Sequence, residues 1–411
     1  MATLAIRGGP QAASSLQLPP WPQFDVEEEG AVLTALRSRR WCRLSGSEVE
    51  TFERAFAEYH NSKHAIAVSN GTVALELALL ACGIKPGDEV LVPAVTFIAS
   101  ASAIVTSVGA VPVFVDIDPQ TVTIDPGALE VAITKRTRAV IAVHYGGYPV
   151  NFDQILPIVK KHNLYLIEDC AHAQGTEWRG HKVGAIGDIG AFSFQESKSF
   201  TAGEGGIVLT NNSDLAEQAR LYHNIGRVMG QPGYKHFALA SNYRLSELQG
   251  ALLRVQFERF KEKHVRIKHE QGQFLADSLC EIGGVEPLKK DNRVTQRGYY
   301  FFIIRYDKNA FGGVPRDRFV EALRAEGVPC DIGYGVPLYK QPAFQEKEIS
   351  RWLPESAKPW PDYEHLFLPA SERFCFEEQV TLPHQLLLLE KSKVQMVADA
   401  ILKIKTHCNE L

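Results

Sequence analysis

Between residues 64 and 210 the chain alternates short apolar runs with segments of helical periodicity, and that alternation leaves few folds open. Residues 64–69, 89–93, 111–117, 139–144, 164–168, 189–194 and 207–210 read as strands, and helices predicted over 72–82, 98–108, 126–134 and 152–162 separate the first five. Seven strands with interleaved helices predict a mainly parallel α/β sheet covered on both faces. Right-handed crossovers then leave a handful of topologies. A chain of 411 residues exceeds one comfortable core. The expectation is a large α/β domain over 1–255, beginning with a loose arm over 1–20, and a smaller α+β domain over 256–411. A helix is predicted over 25–38. Ser47 and Glu50 have the spacing of a capping box, and Phe52, Phe56 and Tyr59 then recur at helical spacing as core residues. A long charged helix over 245–269 is expected to bridge the domains. Strands over 294–306 and 328–332 flank a helix over 316–326, the proline-bearing stretch 336–372 is mostly loop, and 391–405 is a closing helix.

In open α/β sheets ligands bind beyond the carboxyl ends of the strands, and the chemically notable residues follow those ends. Ser69-Asn70-Gly71-Thr72 follows the first strand, Thr96-Phe97 the second, His144 the fourth, Asp169 the fifth and Lys198 the sixth. Asn70-Gly71-Thr72 opens a helix, so its free N–H groups and the helix dipole suit an anion, and Gly71 lets a phosphate approach the backbone; a plain helix cap would use the same residues. Asp169 ends an apolar run, where a carboxylate is costly unless paired. Lys198 sits where a buried strand breaks into Gln195-Glu196-Ser197 before the turn Gly203-Glu204-Gly205-Gly206. Partial desolvation there disfavours the ammonium form and frees the amine, which is what a Schiff-base lysine needs.

The segment Ser193-Phe194-Gln195 … Lys198 … Thr201-Ala202-Gly203-Glu204-Gly205-Gly206 resembles the lysine segment of the DegT/DnrJ/EryC1/StrS aminotransferases. The resemblance extends from Trp21-Pro22 to Pro383-His384. It implies the type I fold of enzymes that use pyridoxal 5′-phosphate (PLP), with Lys198 holding the cofactor as an internal aldimine and Asp169 paired to the ring nitrogen. It further implies phosphate contacts from Gly71, Thr72 and Ser193, a stacking position at Phe97, and His172 against the cofactor. Asn242, in Ser241-Asn242-Tyr243-Arg244, matches an asparagine that reaches the phosphate of a neighbouring subunit, so a homodimer with shared sites is implied. The implied reaction moves an amino group from glutamate or glutamine to a keto-sugar or cyclitol ketone, with Lys198, Asp169 and His172 as catalytic residues. Trp21-Pro22-Gln23-Phe24 and Arg40-Trp41-Cys42-Arg43-Leu44-Ser45-Gly46 resemble two branches, the scyllo-inosose-type aminotransferases and the 3-amino-5-hydroxybenzoate synthases. Leu382-Pro383-His384 replaces the paired histidines expected in both. Arg43, Tyr145, Tyr334 and His384 are candidate substrate contacts. A 3-amino-5-hydroxybenzoate synthase-like enzyme and a non-catalytic regulatory homologue are the alternatives; the second would not need Lys198, Asp169 and the phosphate turn intact.

Other classes find little support. A net charge of −4 offers no electrostatic case for nucleic acid or an anionic membrane, and no window of 18 apolar residues spans a bilayer. The seven cysteines form no CxxC pair, which argues against a disulfide framework or a zinc site and for a reduced, cytoplasmic protein. There is no GxGxxG after a first strand, no P-loop, no HExxH and no GxSxG.

Overall fold

The computed structural model describes residues 3–411. Its central sheet has seven strands: β1 (His64–Val68), β2 (Glu89–Pro93), β3 (Val111–Val115), β4 (Thr137–Val143), β5 (Tyr165–Asp169), β6 (Ile189–Ser193) and β7 (Gly206–Thr210). Their spatial order is β1-β7-β6-β5-β4-β2-β3. The strands from β6 through β3 are parallel, while β7 runs antiparallel to both β1 and β6. The reversal has a local cause: the link from β6 to β7 folds as a glycine-rich turn rather than as the helical crossover a parallel neighbour requires.

Successive side chains on each strand feed opposite faces, and each face has its own core. Ile66, Val92, Ile141 and Ile167 pack under the helices Gly71–Ala81 and Ala99–Val108. Ala67, Leu91, Val140 and Leu166 pack against Phe52, Phe56, Phe152 and Phe257. The smaller domain has a three-stranded antiparallel sheet, β8 (Val285–Pro287), β9 (Phe301–Tyr306) and β10 (Gln379–Pro383), with β9 central. The helices Val265–Ile282, Arg316–Ala325 and Lys391–Thr406 surround it.

Five local readings differ from the sequence-based expectation. The start of the chain is not loose: Leu4, Ala13 and Leu16 are buried in the core of the smaller domain, and the Glu326 carboxylate accepts the N–H groups of Ala5 and Ala12. Conversely Leu338, Tyr339, Phe344 and Phe374 pack on the large core, so the two cores interleave in sequence instead of meeting at one boundary. The helix Glu48–Tyr59 has no side-chain cap from Ser47. Glu247 supplies the acceptor instead, taking the Glu48 N–H at 2.6 Å. Residues 328–332 form only one bridging pair, Asp331 with Thr381, because Pro329 has no N–H to extend a ladder. The predicted strand over 294–306 is two pieces, Val294–Gln296 and β9. Between them Tyr299 adopts a left-handed conformation, φ 44°, and this break turns the next residue, Tyr300, out of the ladder.

Candidate active site

A cavity of 720 Å³ opens at the carboxyl ends of β2, β5 and β6, bounded by the first turn of the helix Gly71–Ala81 and by the loops that carry Lys198, Tyr300 and Tyr334. Eight of the twelve expected site residues line it: Gly71, Thr72, Phe97, Asp169, His172, Ser193, Lys198 and Tyr334.

Lys198 is 8% exposed. Its position follows from the turn that carries it: the Lys198 N–H donates to the Gln195 carbonyl at 2.8 Å, and the Ser197 N–H and hydroxyl both donate to Gln195 Oε1. The amine lies 4.1 Å from the centroid of the Tyr300 ring. Burial lowers its pKa to about 8, against the opposing pull of the Asp169 carboxylate. About a tenth of the amine is therefore free base at pH 7, some hundreds of times the fraction of an ordinary lysine, which gives the cavity a usable nucleophile.

Asp169 is buried at the end of β5. One carboxylate oxygen accepts the Ser100 hydroxyl at 2.7 Å, itself 2.8 Å from Thr96 Oγ1, and the other accepts the Ala171 N–H at 3.1 Å. Among the described residues no cation is in ion-pair contact with it, so it presents an unneutralised charge to the cavity. Its neighbour Glu168 points to the opposite face of the strand. There it accepts the N–H groups of Gly184, Ile186 and Gly187 and meets His144 Nε2 at 3.0 Å. Although Glu168, His144 and Cys170 lie close enough to suggest a metal cluster, these bonds already occupy the carboxylate, and His144 Nδ1 accepts the Val150 N–H.

His172 is buried and stacked on Tyr300, centroids 4.2 Å apart and planes 18° apart. Its Nδ1 accepts the Gly146 N–H at 3.4 Å, which leaves Nε2 as the protonated nitrogen, 3.2 Å from the Tyr334 hydroxyl. Burial, with Lys198 nearby, drives its pKa well below the ordinary histidine value, so the ring is neutral.

At the opposite wall Asn70 caps the helix through Val73 N–H, and the first-turn N–H groups of Gly71 and Thr72 remain without an intrahelical partner. A Cβ on Gly71 would stand 2.5 Å from Ser193 Cβ and 2.9 Å from its hydroxyl. Only glycine allows this close approach of helix end and serine, and the resulting cradle of N–H groups and a hydroxyl suits a phosphate. Phe97 is 50% exposed although it lines a cavity, its ring tilted against Tyr334 with centroids 5.8 Å apart. An amine, a carboxylate, a phosphate cradle and a bare aromatic face in one cavity fit PLP.

Four other expected site residues stand away from this cavity. Arg43 is held by Glu53 at 2.7 Å. Tyr145 is buried behind Tyr334 and receives a hydrogen bond from Gln379. His384 lies behind the wall formed by Ser197 and Tyr300, with Nε2 3.2 Å from the Ser197 carbonyl and Trp21 edge-on at 4.6 Å. Asn242 is exposed, its side chain accepting the Arg244 N–H. Sequence reasoning missed Tyr300, Ser100 and Gln174. The last donates to the Ser193 carbonyl at 2.7 Å and fixes that serine.

The geometry has close counterparts. The chain is 36% identical to the L-glutamine:scyllo-inosose aminotransferase of Streptomyces griseus, over 100% of this chain and 99% of that one. It is 38% identical to the 3-amino-5-hydroxybenzoate synthase of Amycolatopsis mediterranei, over 82% of this chain and 86% of the relative. A crystal structure of 3-amino-5-hydroxybenzoic acid synthase superposes with a TM-score of 0.83 at 34% identity, covering 94% of this chain and 98% of that one. Residues 22–386 match the DegT/DnrJ/EryC1/StrS aminotransferase family, and with that match added to the full-length relatives the chain belongs to this family and is an aminotransferase.

Proposed function

We propose that the protein binds PLP in this cavity and transfers the amino group of L-glutamine to a polyhydroxylated cyclic ketone of the scyllo-inosose class. The single observation that carries the reading is the buried Lys198 amine, its pKa lowered to about 8, sharing one cavity with the unneutralised Asp169 carboxylate. The N–H groups of Gly71 and Thr72 and the Ser193 hydroxyl would hold the phosphate, Phe97 would cover the ring, and Asp169 would keep the ring nitrogen protonated. When bound, the cofactor supplies an electrophilic carbonyl and an electron-withdrawing ring. Lys198 Nζ takes the proton from Cα of the amino donor and carries it across the cavity. Neutral His172, stacked on Tyr300, fills the space beside the amine and excludes water.

Glutamine as donor and a cyclitol ketone as acceptor rest on the Streptomyces griseus relative, aligned along its whole length. A homodimer with Asn242 serving a second copy's site is supported by that residue's exposure and by the exposed Met229, Tyr234, Phe237 and Leu239 just before it. Among the described residues no helix is long and apolar enough to cross a membrane. All seven cysteines are unbridged, which favours a reducing, cytoplasmic setting.

The test loads the purified protein with PLP and follows its visible absorbance on addition of L-glutamine or L-glutamate. Glutamine is expected to bleach the band, and scyllo-inosose to restore it. A band insensitive to both donors would sink the reading. The phosphate cradle is checked separately by Gly71→Ala. Overpacking against Ser193 costs about 1–3 kcal/mol, so the Kd for PLP, read by fluorescence titration, is expected to rise about 10- to 100-fold.

A further inference from the structure

The helix Val265–Ile282 carries a second amine with no access to solvent. Lys268 is fully buried, and its Nζ donates to Ser199 Oγ at 2.7 Å and to the Tyr299 carbonyl at 3.0 Å. The Ser199 hydroxyl reaches the same carbonyl at 3.2 Å. Around the amine stand the Phe260 ring, 5.8 Å away, and the imidazoles of His264 and His384. No carboxylate among the described residues is in ion-pair contact with it. Burial without a counter-charge pushes the amine far below the ordinary lysine value, so it works as a neutral hydrogen-bond donor. A position this dry would be filled more cheaply by an apolar residue unless the two donor bonds were needed.

Both acceptors adjoin the candidate active site. Ser199 follows Lys198 directly. Tyr299 precedes Tyr300, whose ring lies 4.1 Å from Lys198 Nζ and stacks on His172. Tyr299 holds a left-handed φ of 44°, which a bulky residue keeps only where its surroundings over-determine it. The Lys268 bond to its carbonyl is one such determinant.

We propose that Lys268 is a positioning residue for amino transfer: by bonding Ser199 and the Tyr299 carbonyl together it locks the Lys198 turn to the break before β9 and holds the Tyr300 ring over the Lys198 amine. The inference rests on the aminotransfer reading above. It explains why strand pairing stops at Tyr299, and it makes the dryness of the Lys198 amine depend on a residue that lines no part of the cavity. The titratable groups facing Lys198 are Asp169, His172, Tyr300 and, from behind Ser197, the neutral His384; releasing Tyr300 admits water and leaves Asp169 to favour the ammonium form.

The experiment uses the full chain freed of cofactor, with Lys198 acylated by a small amine reagent across a pH series and read by peptide mass spectrometry. The glutamine half-reaction of the PLP-loaded protein is measured in parallel. Lys268→Met keeps the length and removes the donors. Its Lys198 midpoint is expected to rise from about 8 by about one unit toward the unperturbed lysine value. The half-reaction rate is expected to fall about 10- to 100-fold, with the glutamine KM little changed. Ser199→Ala, which removes one of the two acceptors, should shift the midpoint the same way by less. A wild-type midpoint and rate in Lys268→Met overturn the proposal whatever happens to the melting temperature. Should Lys268→Met not fold, Ser199→Ala decides alone: an upward shift supports the tether and an unmoved midpoint overturns it. A shifted midpoint in a protein that never responds to glutamine would uphold the tether and overturn the aminotransfer reading.

Discussion

Replacing Lys198 with methionine is expected to lower amino transfer by more than about 10⁴-fold, the upper end of what one positioned acid–base group contributes, while making the cofactor-free protein more stable at neutral pH. The two effects share one cause. In the fold the Lys198 amine titrates near 8 because burial disfavours its charge, whereas in the unfolded chain it titrates near 10.5. Between those values the unfolded state binds more protons, so the wild-type protein gains stability as pH rises through the window. The penalty stands in full below pH 8 and is gone above 10.5; a shift of this size corresponds to at most about 3–4 kcal/mol. Denaturant melts of wild type and Lys198→Met at pH 7 and near pH 10.5 check this. The variant should be the more stable at pH 7, with the gap closing at high pH. A gap independent of pH would mean that the amine is hydrated in the native state, and near-normal amino transfer by the variant would remove Lys198 from the chemistry altogether.

The parts of the site that were legible in the sequence are those fixed by strand ends. Asp169 closes an apolar run, Gly71 and Thr72 open a helix right after another, and Lys198 interrupts a third before a glycine turn; a parallel sheet brings all such ends to one edge. The sheet was legible for the same reason, since seven apolar runs at βαβ spacing have few arrangements. Tyr300 was not legible. In 294–306 it reads as one more strand residue, and only the left-handed Tyr299 and its bond to a lysine from a distant helix turn it inward. Ser100 looks like any small helical residue until the fold sets its hydroxyl 2.7 Å from Asp169. Glu247, in effect the cap of a helix some two hundred residues upstream, belongs to the same class: a tertiary partner took over a role that local spacing had assigned to Ser47. His384 and Arg43 lie outside the cavity. Their chemistry suited substrate contacts, but a backbone carbonyl and Glu53 hold them elsewhere.

Asp169→Asn is the sharper probe of the charge pairing because it keeps the shape of the site. The Ser100 hydroxyl can turn to donate to Thr96 Oγ1 and accept from the new amide, and the Ala171 N–H keeps its oxygen acceptor. Neither the fold nor the cavity volume should therefore change, and removal of an unpaired buried charge should leave the melting temperature equal or higher. Two losses follow from the missing charge. The ring nitrogen of bound cofactor loses its partner, and the rate of the glutamine half-reaction is expected to fall about 10²–10³-fold, the range seen when one preorganised electrostatic partner is deleted. The Lys198 ammonium also loses its carboxylate neighbour, since Asp169 is the charge that raises the amine's pKa against burial. Its acylation midpoint in the cofactor-free protein should drop below 8, opposite to the rise expected for Lys268→Met. That sign separates the two residues: Asp169 acts on the amine through charge, Lys268 through the ring that keeps it dry. A midpoint that stayed put in Asp169→Asn would mean that the carboxylate and the amine do not sense each other across the cavity, and the assignment of both to one reaction centre would fail.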